Sequence, residues 1–537
     1  MRTSFLSAVV ALCLLASPVS AQNLSSGRVD GLLSSLSWEN SSSAPSQSNG
    51  SSGAAGSADA AANPDASTPI TDPVTGGTWM EDFEDRTGWT VHTNVLHSGE
   101  KRWEGWNFAT IRDWTWAVGT DKRHYFTRGD GKVAIAESKH HRLKAGEQMT
   151  TELTSPSVPV TPGVAYQLEF DSHYRQGSSD NTAKVVLTFD TGESKTVREF
   201  TKDSFSTHEQ VGFTAPSGAQ SVSATFVYGN AQDDWFWAID NVTVTTPLPA
   251  DPGTPTAVVD IISDTHNEKK YGDVIDFLNR QPDPAGAMVV NGDYVDMGYA
   301  ENYANFAADR AAHPHASGRE YFTIGNHEML GTDGSDTFLH RYLDMTKQDH
   351  VWREEVVDGQ PLLMISTEFY DDVARDGKEP YVVLSDAQLN WLKQRLDYWE
   401  GKGKTVFLFS HLVLPYTVTS THSPWYGNDF AELGKLNKVL QGHDNIVMFT
   451  SHTHASLTAG DWWGVYRGAD KHGFPVVNTG AVKNANLPDG DYDEEVDPAL
   501  PQTTGLRVKT YPDRVRVEAW DFEKQEMIRF HDFPIHS

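Results

Sequence analysis

Five short motifs in the second half of the chain carry the residue types that bind divalent metals: Asp264-Thr265-His266, Gly292-Asp293-Tyr294-Val295-Asp296, Gly325-Asn326-His327-Glu328, Ser410-His411 and Ser451-His452-Thr453-His454. Imidazole, carboxylate and amide oxygen together suit Zn, Mn or Fe better than Ca, which prefers shells of oxygen alone. Each motif by itself is weak, because an Asp-x-His or a lone histidine after a strand more often caps or hydrogen-bonds a turn. Their order is stronger, because each follows directly on an apolar run of strand length. Open α/β sheets place their sites just beyond the carboxyl ends of strands, where loops aim side chains without disturbing the core. Ligands at the ends of neighbouring strands converge on one point.

The elements that must position them are runs at Ala257 to Ile262, Ala287 to Val290, Tyr321 to Ile324, Pro361 to Ile365, Thr405 to Phe409 and Ile446 to Phe449. Continuous apolar strands mark sheets covered on both faces. Helical stretches alternate with them. One is signalled by Ser385-Asp386-Ala387-Gln388, a capping box ahead of Leu389, Leu392, Leu396 and Trp399 at helical spacing. Tyr511-Pro512-Asp513 between two further runs predicts a hairpin. The expected architecture for this half is an α/β sandwich.

The stretch from Trp79 to Thr246 is patterned differently. Short alternating runs at Tyr166 to Tyr174, Ala183 to Asp190, Ser221 to Tyr228 and Trp235 to Thr245, separated by Gly, Asn, Asp and Ser, predict an all-β antiparallel sandwich. It holds eight of the chain's 16 tryptophans, which are expected chiefly to fill the core between the sheets. Its ending, Asp233-Asp234-Trp235-Phe236-Trp237-Ala238-Ile239-Asp240-Asn241-Val242, resembles the last strand of secreted jelly-roll modules of the adhesion and carbohydrate-binding kind. That resemblance implies a cell-surface glycan as a partner.

At the N-terminus, Arg2, an apolar run from Phe5 to Ala16 and the ending Val19-Ser20-Ala21 have the layout of a cleavable signal peptide over residues 1–21. The apolar run is about a dozen residues, short of the roughly 20 that a spanning helix needs. Export is expected, with the protein secreted, free or associated with the cell wall, and without a membrane span. Cys13, the chain's one cysteine, lies in the segment to be removed, which leaves no thiol for a disulfide. Residues 22–75 are mostly Ser, Ala, Gly, Asn, Asp and Pro, and are expected to form a disordered spacer. The sandwich then covers 76–247, a linker 248–255, and the α/β domain 256–537. The net charge of −30 argues against nucleic acid or an anionic membrane as a partner, since both need a basic footprint.

Over roughly 256 to 522 the motif order resembles the calcineurin-like metallophosphoesterase family. The resemblance implies two divalent ions (Mn, Fe or Zn) and a small-molecule phosphoester substrate. It gives one ion to Asp264, His266 and His454, the other to Asn326, His411 and His452, and makes Asp293 the bridge. His327 becomes the catalytic histidine, with Asp296 holding its ring. Two ions about 3.5 to 4 Å apart clamp phosphoryl oxygens and lower the pKa of a shared water, so that hydroxide attacks near neutral pH. Their charge explains how an acidic chain can bind phosphate.

Departures narrow the class. Ser/Thr protein phosphatases of this superfamily carry arginines where this chain has Met297 and Ile324, and lose their guanidinium clamps if these are replaced. Purple acid phosphatases place a tyrosine at Asp296. Ser451 stands where glycine is usual, which implies strain or a different turn. What remains is hydrolysis of phosphate mono- or diesters. Arg310, Arg319, Arg341 and Arg353 lie near the motif loops in sequence and would either bind substrate or, as exposed arginines do by default, solubilise the surface. Aromatics at Tyr416, Trp425, Tyr426, Trp462 and Trp463 would either shape the pocket or pack on the scaffold. His140, His141, His313, His315, His422 and His443 lack ligand spacing and are expected at the surface. The competing class is a non-catalytic wall- or glycan-binding protein acting through the sandwich. Retention of the whole ligand set together with His327 favours the enzyme.

Overall fold

A computed structural model describes residues 79–95, 103–139, 143–467 and 473–535. The leader, the Ser-rich spacer, Cys13, His140 and His141 lie outside the described residues.

The first half is the antiparallel sandwich that its alternation predicts. One sheet runs in the order Ser204–Thr214, Ala165–Arg175, Phe236–Thr245, Lys132–Glu137, Gly105–Thr110, with Trp79–Glu81 also paired to Phe236–Thr245. The other runs Thr90–Thr93, Met149–Thr154, Ser221–Ala231, Thr182–Phe189, Ser194–Phe200, with Val158–Pro159 beside Ser221–Ala231. Met149–Thr154 shows the pattern behind it, alternate residues facing the core and the surface. Trp106 and Trp237 meet between the sheets at 5.5 Å, and Phe226 adjoins Trp237 at 5.8 Å. Trp103 and Trp114 are buried as well, whereas Trp116 is 88% exposed.

The second half is built on two six-stranded mixed sheets packed face to face. In one, Glu320–Thr323, Ala287–Asn291 and Ala257–Ile262 are parallel and are followed by the antiparallel strands Thr504–Thr510, Arg514–Asp521 and Glu526–Pro534. In the other, Gln360–Met364, Val406–Phe409, Ile446–Thr450 and Gly473–Asn478 are parallel, with Arg353–Val357 and Trp463–Arg467 as antiparallel edges. Val259, Val289, Phe407, Phe449 and Val508 share the core between the sheets. Helices Tyr271–Leu278, Ala300–Ala312 and Ser335–Thr346 cover the outer face of the first sheet, and Asp386–Glu400 and Leu433–Leu440 that of the second. Both faces of each sheet are thus covered over much of their area, which is why the parallel strands are predominantly apolar, with Asp260 as a buried, paired exception.

The helix start at Ser385 differs in one detail from the predicted box. Ser385 caps the helix by accepting from Gln388 N, but the Gln388 side chain bonds Ser366 and Glu368 instead of returning. Glu368 Oε2 accepts from Ser385 N at 2.5 Å and closes the box in its place. No helix among the described residues is long and apolar enough to cross a membrane.

The two halves meet over a buried polar seam. Arg128 donates to Ser206 O at 3.1 Å, Asp171 Oδ1 at 3.4 Å and Trp463 O at 2.5 Å, with its guanidinium 4.0 Å above the Trp463 ring. Asp461 accepts from Thr127 at 2.5 Å and Thr419 at 2.6 Å. Tyr125 donates to Gly490 O and His124 to Asp491 O, both at 2.5 Å. Several histidines expected at the surface are buried: His315 bonds Asp260, His443 bonds Glu400, and His422 lies against His124 and Tyr125 of the sandwich. His315 and His443 each fill a partner's hydrogen-bond need across sequence distances that no local pattern reveals, and His422 packs its ring on the sandwich. Trp462 and Trp463 are likewise buried in the scaffold. The Asn241 amide, part of an Asn-x-Thr sequon, is buried and donates to Asp171 and Arg128 O.

Candidate metal centre

The motif residues leave the carboxyl ends of five parallel strands, three in one sheet and two in the other, and so gather at one end of the interface between the sheets. Asp264, His266, Asp293, His452 and His454 all have φ between 44° and 63°. That region is uncommon for residues other than glycine, and clustered strain of this kind is typical of sites that the surrounding structure over-determines. Two glycines show why the motifs read Gly-Asp and Gly-Asn-His. A Cβ on Gly292 would strike the His411 ring, and one on Gly325 would strike the Asp293 carboxylate and amide.

Three overlapping groups have ligand atoms close enough to hold an ion: Asp264 with His266 and His454, His266 with Asp293 and His327, and Asp293 with His411 and His452. His454 Nε2 lies 3.1 Å from Asp264 Oδ1 and 3.2 Å from His266 Nε2. His411 Nε2 is 3.2 Å from Asp293 Oδ2 and 4.0 Å from Asp264 Oδ1. Both oxygens of Asp264, Asn326 Oδ1 and His411 Nε2 are buried without a hydrogen-bond partner among the described residues. Buried polar atoms are otherwise nearly always paired, so unpaired lone-pair donors converging on one volume fit a cation.

The neighbouring residues fix which ring nitrogen faces inward. His411 Nδ1–H donates to Asn291 O at 2.8 Å, and His454 Nδ1–H to Asn484 Oδ1 at 3.0 Å. A carbonyl oxygen only accepts, so each Nδ1 carries the proton and each Nε2 offers a lone pair to the carboxylates' side. Burial opposes charge on His411, yet Asp293 and Asp264 outweigh it and raise its imidazole to about 10. A cation answers the same negative field. Burial lowers His452 to about 3 and His266 to about 4, which keeps both neutral and ready to ligate.

His327 stands edge-on to His266, with ring centroids 4.3 Å apart. Its ring is not held by the Asp296 carboxylate, as the resemblance implied. Nδ1–H donates to the Asp296 backbone carbonyl at 2.7 Å. The physical reason is that Asn267 Oδ1 accepts from Asp296 N at 3.0 Å and pins that peptide, while the carboxylate turns to Lys483 Nζ at 3.5 Å and His266 Nδ1 at 3.8 Å. By distance alone His327 also groups with the ligands.

Several residues support the centre through contacts that the sequence does not announce. Glu328, buried beside His327, accepts from Asp293 N, Gly325 N and Val295 N and so fixes the loop that carries the shared carboxylate. Burial, then the Asp293 charge, pushes it up to about 8. Asn291 donates to Ser410 O and Phe449 O and accepts from Thr323, tying both sheets together beneath the centre. Ser451 needs no left-handed backbone, and its hydroxyl donates to Asn291 O at 2.8 Å beside His411 Nδ1. The departure from glycine therefore supplies a contact. The arginines do not reach the centre as clamps: Arg310 pairs with Glu320, Arg341 with Asp333 and Arg353 with Glu355. In the loop after His411, Tyr426 lies against His452 at 5.4 Å and bonds Glu494, while Tyr416 and Trp425 are exposed.

Residues 257–456 match the family model described as calcineurin-like phosphoesterase. No curated protein matches the chain. Among solved structures it is similar to a purple acid phosphatase from yellow lupin (Lupinus luteus) seeds, at 12% identity and a TM-score of 0.37, covering 86% of this chain and 91% of that one. GAP50, the anchor in the inner membrane complex of Plasmodium, is similar at 12% identity and a TM-score of 0.35, over 52% and 89%. The K1 cleaved adhesin domain of Lys-gingipain from Porphyromonas gingivalis is similar at 14% identity and a TM-score of 0.22, over 32% and 100%. Over residues 257–456 the chain therefore carries a calcineurin-like phosphoesterase domain, the domain of a phosphoester hydrolase, and its His/Asp clusters have the spacing to hold a metal.

Proposed function

We propose that the protein is a secreted phosphoesterase that holds two divalent ions and hydrolyses phosphate mono- or diesters of small molecules. The observation that carries this reading is the set of unpartnered, buried atoms of Asp264, Asn326 and His411 within a cluster of ligand groups that gathers from five strand ends. Asp264, His266 and His454 would hold one ion, Asn326, His411 and His452 the other, with Asp293 between them. Bound ions supply positive charge for phosphoryl oxygens and a hydroxide near neutral pH.

The chain's own groups do the rest. Asp296 O orients the His327 ring through Nδ1–H, which leaves Nε2 to carry a second proton. As water oxygen bonds to phosphorus and the bond to the leaving oxygen breaks, that proton passes to the leaving oxygen. Glu328 and Asn267 hold the two loops that fix these positions. With Met297 and Ile324 at the arginine positions and Arg341 engaged elsewhere, recognition rests on the metal charge, Lys483 and the exposed aromatics Tyr416 and Trp425. Export follows from the leader-like N-terminus. A glycan partner for the sandwich rests on the exposed Trp116.

The test is Mn-dependent hydrolysis of p-nitrophenyl phosphate and bis-p-nitrophenyl phosphate by the full-length protein. Turnover of either, lost in His327→Ala and Asp293→Asn, is expected, and the preferred reporter separates monoesterase from diesterase. No turnover of either with metal bound would overturn the reading.

A further inference from the structure

Asp429 shares the signature of the ligand residues without belonging to the set. It lies at the end of the short helical turn Tyr426–Asn428, is 1% exposed, and its carboxylate oxygens make no well-formed hydrogen bond among the described residues, with the Val413 amide beside them. Its backbone is anchored, since its carbonyl accepts from Val382 N at 2.9 Å. Oδ1 faces His452 Nε2 at 3.9 Å. His452 is otherwise walled by aromatic rings, with Tyr426 at 5.4 Å, Tyr381 at 5.7 Å and His411 at 5.4 Å. Among the described residues no hydrogen bond fixes its tautomer, in contrast to His411 and His454, whose Nδ1–H groups have carbonyl acceptors.

We propose that Asp429 is a positioning residue of the metal centre: its carboxylate accepts the Nε2–H of His452 and so presents the other ring nitrogen to the ion shared with Asp293 and His411. The inference rests on the two-metal reading above. A shift of about 1 Å brings 3.9 Å to hydrogen-bond length. Metal-bound histidines generally donate their second N–H to a carboxylate or carbonyl, and removing that partner typically costs 10- to 100-fold in metal affinity. The loop between His411 and Asp429 would then serve both ends of one site, giving a ligand at its start and the group that orients a second ligand at its end.

The test is calorimetric titration of metal-free full-length protein with Mn2+, comparing Asp429→Ala, Asp429→Asn, His452→Ala and the double variant Asp429→Ala/His452→Ala. Asp429→Ala should weaken one of two sites by about 10- to 100-fold and leave the other unchanged. Asp429→Asn, which keeps an acceptor oxygen at the same volume, should fall between it and the wild type. The double variant should bind no more weakly than His452→Ala alone. Metal-free Asn and Ala variants should melt no lower than the wild type, because a buried carboxylate with no well-formed hydrogen bond has been removed. Wild-type affinity at both sites in Asp429→Ala would overturn the inference. So would equal and complete loss of a site in both Asp429 variants, which would make Asp429 a direct ligand. A wild-type protein that binds no Mn2+ would instead remove the two-metal reading itself.

Discussion

The metal centre and the seam between the two halves are both buried and both rich in carboxylate and histidine, yet they treat polar atoms in opposite ways. At the seam Asp171 accepts from Arg128, His208 and Asn241, and each Asp461 oxygen accepts from a threonine. At the centre Asp264, Asn326 and His411 keep lone pairs with no partner. An unpaired buried polar group costs about 1–3 kcal/mol, so a fold tolerates several in one place only where a ligand will meet them. Pairing marks the part that holds the halves together. Its absence marks the part that acts.

Substitutions should separate the two regions. The largest effect is expected from Asp264→Asn, which should lower turnover by about 1,000-fold or more, about 4 kcal/mol in the barrier, while leaving the melting temperature of metal-free protein unchanged or higher. Arg128→Ala should do the reverse. It strands Asp171 beside a lost cation and should cost about 3–5 kcal/mol in chemical denaturation, with turnover per folded molecule close to wild type. Thr127→Val removes one donor to Asp461 and should cost about 1–3 kcal/mol by the same measurement. If Arg128→Ala lowered turnover with no loss of stability, the division between the regions would fail.

A smaller effect follows from His208. Burial opposes its charge, but hydrogen bonds that its ring N–H groups donate to Asp171 and Glu169 outweigh this and raise its imidazole, while against the burial that opposes their charge His208 holds both carboxylates below their usual range. A raised histidine stabilises fully below its unfolded value and loses that contribution as pH rises through the folded one. The lowered carboxylates lose theirs as pH falls. Seam stability should therefore peak between about pH 5 and 6.5, and His208→Gln should flatten the decline above that window in a series of denaturation curves. Smallest of all, Trp116→Ala at an exposed position should change stability by less than about 0.5 kcal/mol.

The centre was far more legible in the sequence than the seam. Apolar runs such as Ala257 to Ile262 and Ile446 to Phe449 end abruptly on Asp264 and His452, so strand and ligand are read in one stretch. The helix start at Ser385 was visible because a cap is local, whereas its completion by Glu368 is not. Thr127 and Asp461 are 334 positions apart and neither has a local pattern. Asn291 is hidden at the end of an apolar strand. The contact of His327 with Asp296 runs through a backbone carbonyl, which no side-chain type announces. Buried histidines such as His315 and His443 looked like surface residues because their partners, Asp260 and Glu400, come from distant strands and helices.

The central claim, that the unpartnered atoms hold two divalent ions, is tested most directly by metal analysis of full-length protein after equilibration with Mn2+ and removal of the excess. Two ions per chain in the wild type, falling in Asp293→Asn while the fold is retained, is the predicted result. No bound metal in a folded wild-type chain would contradict it.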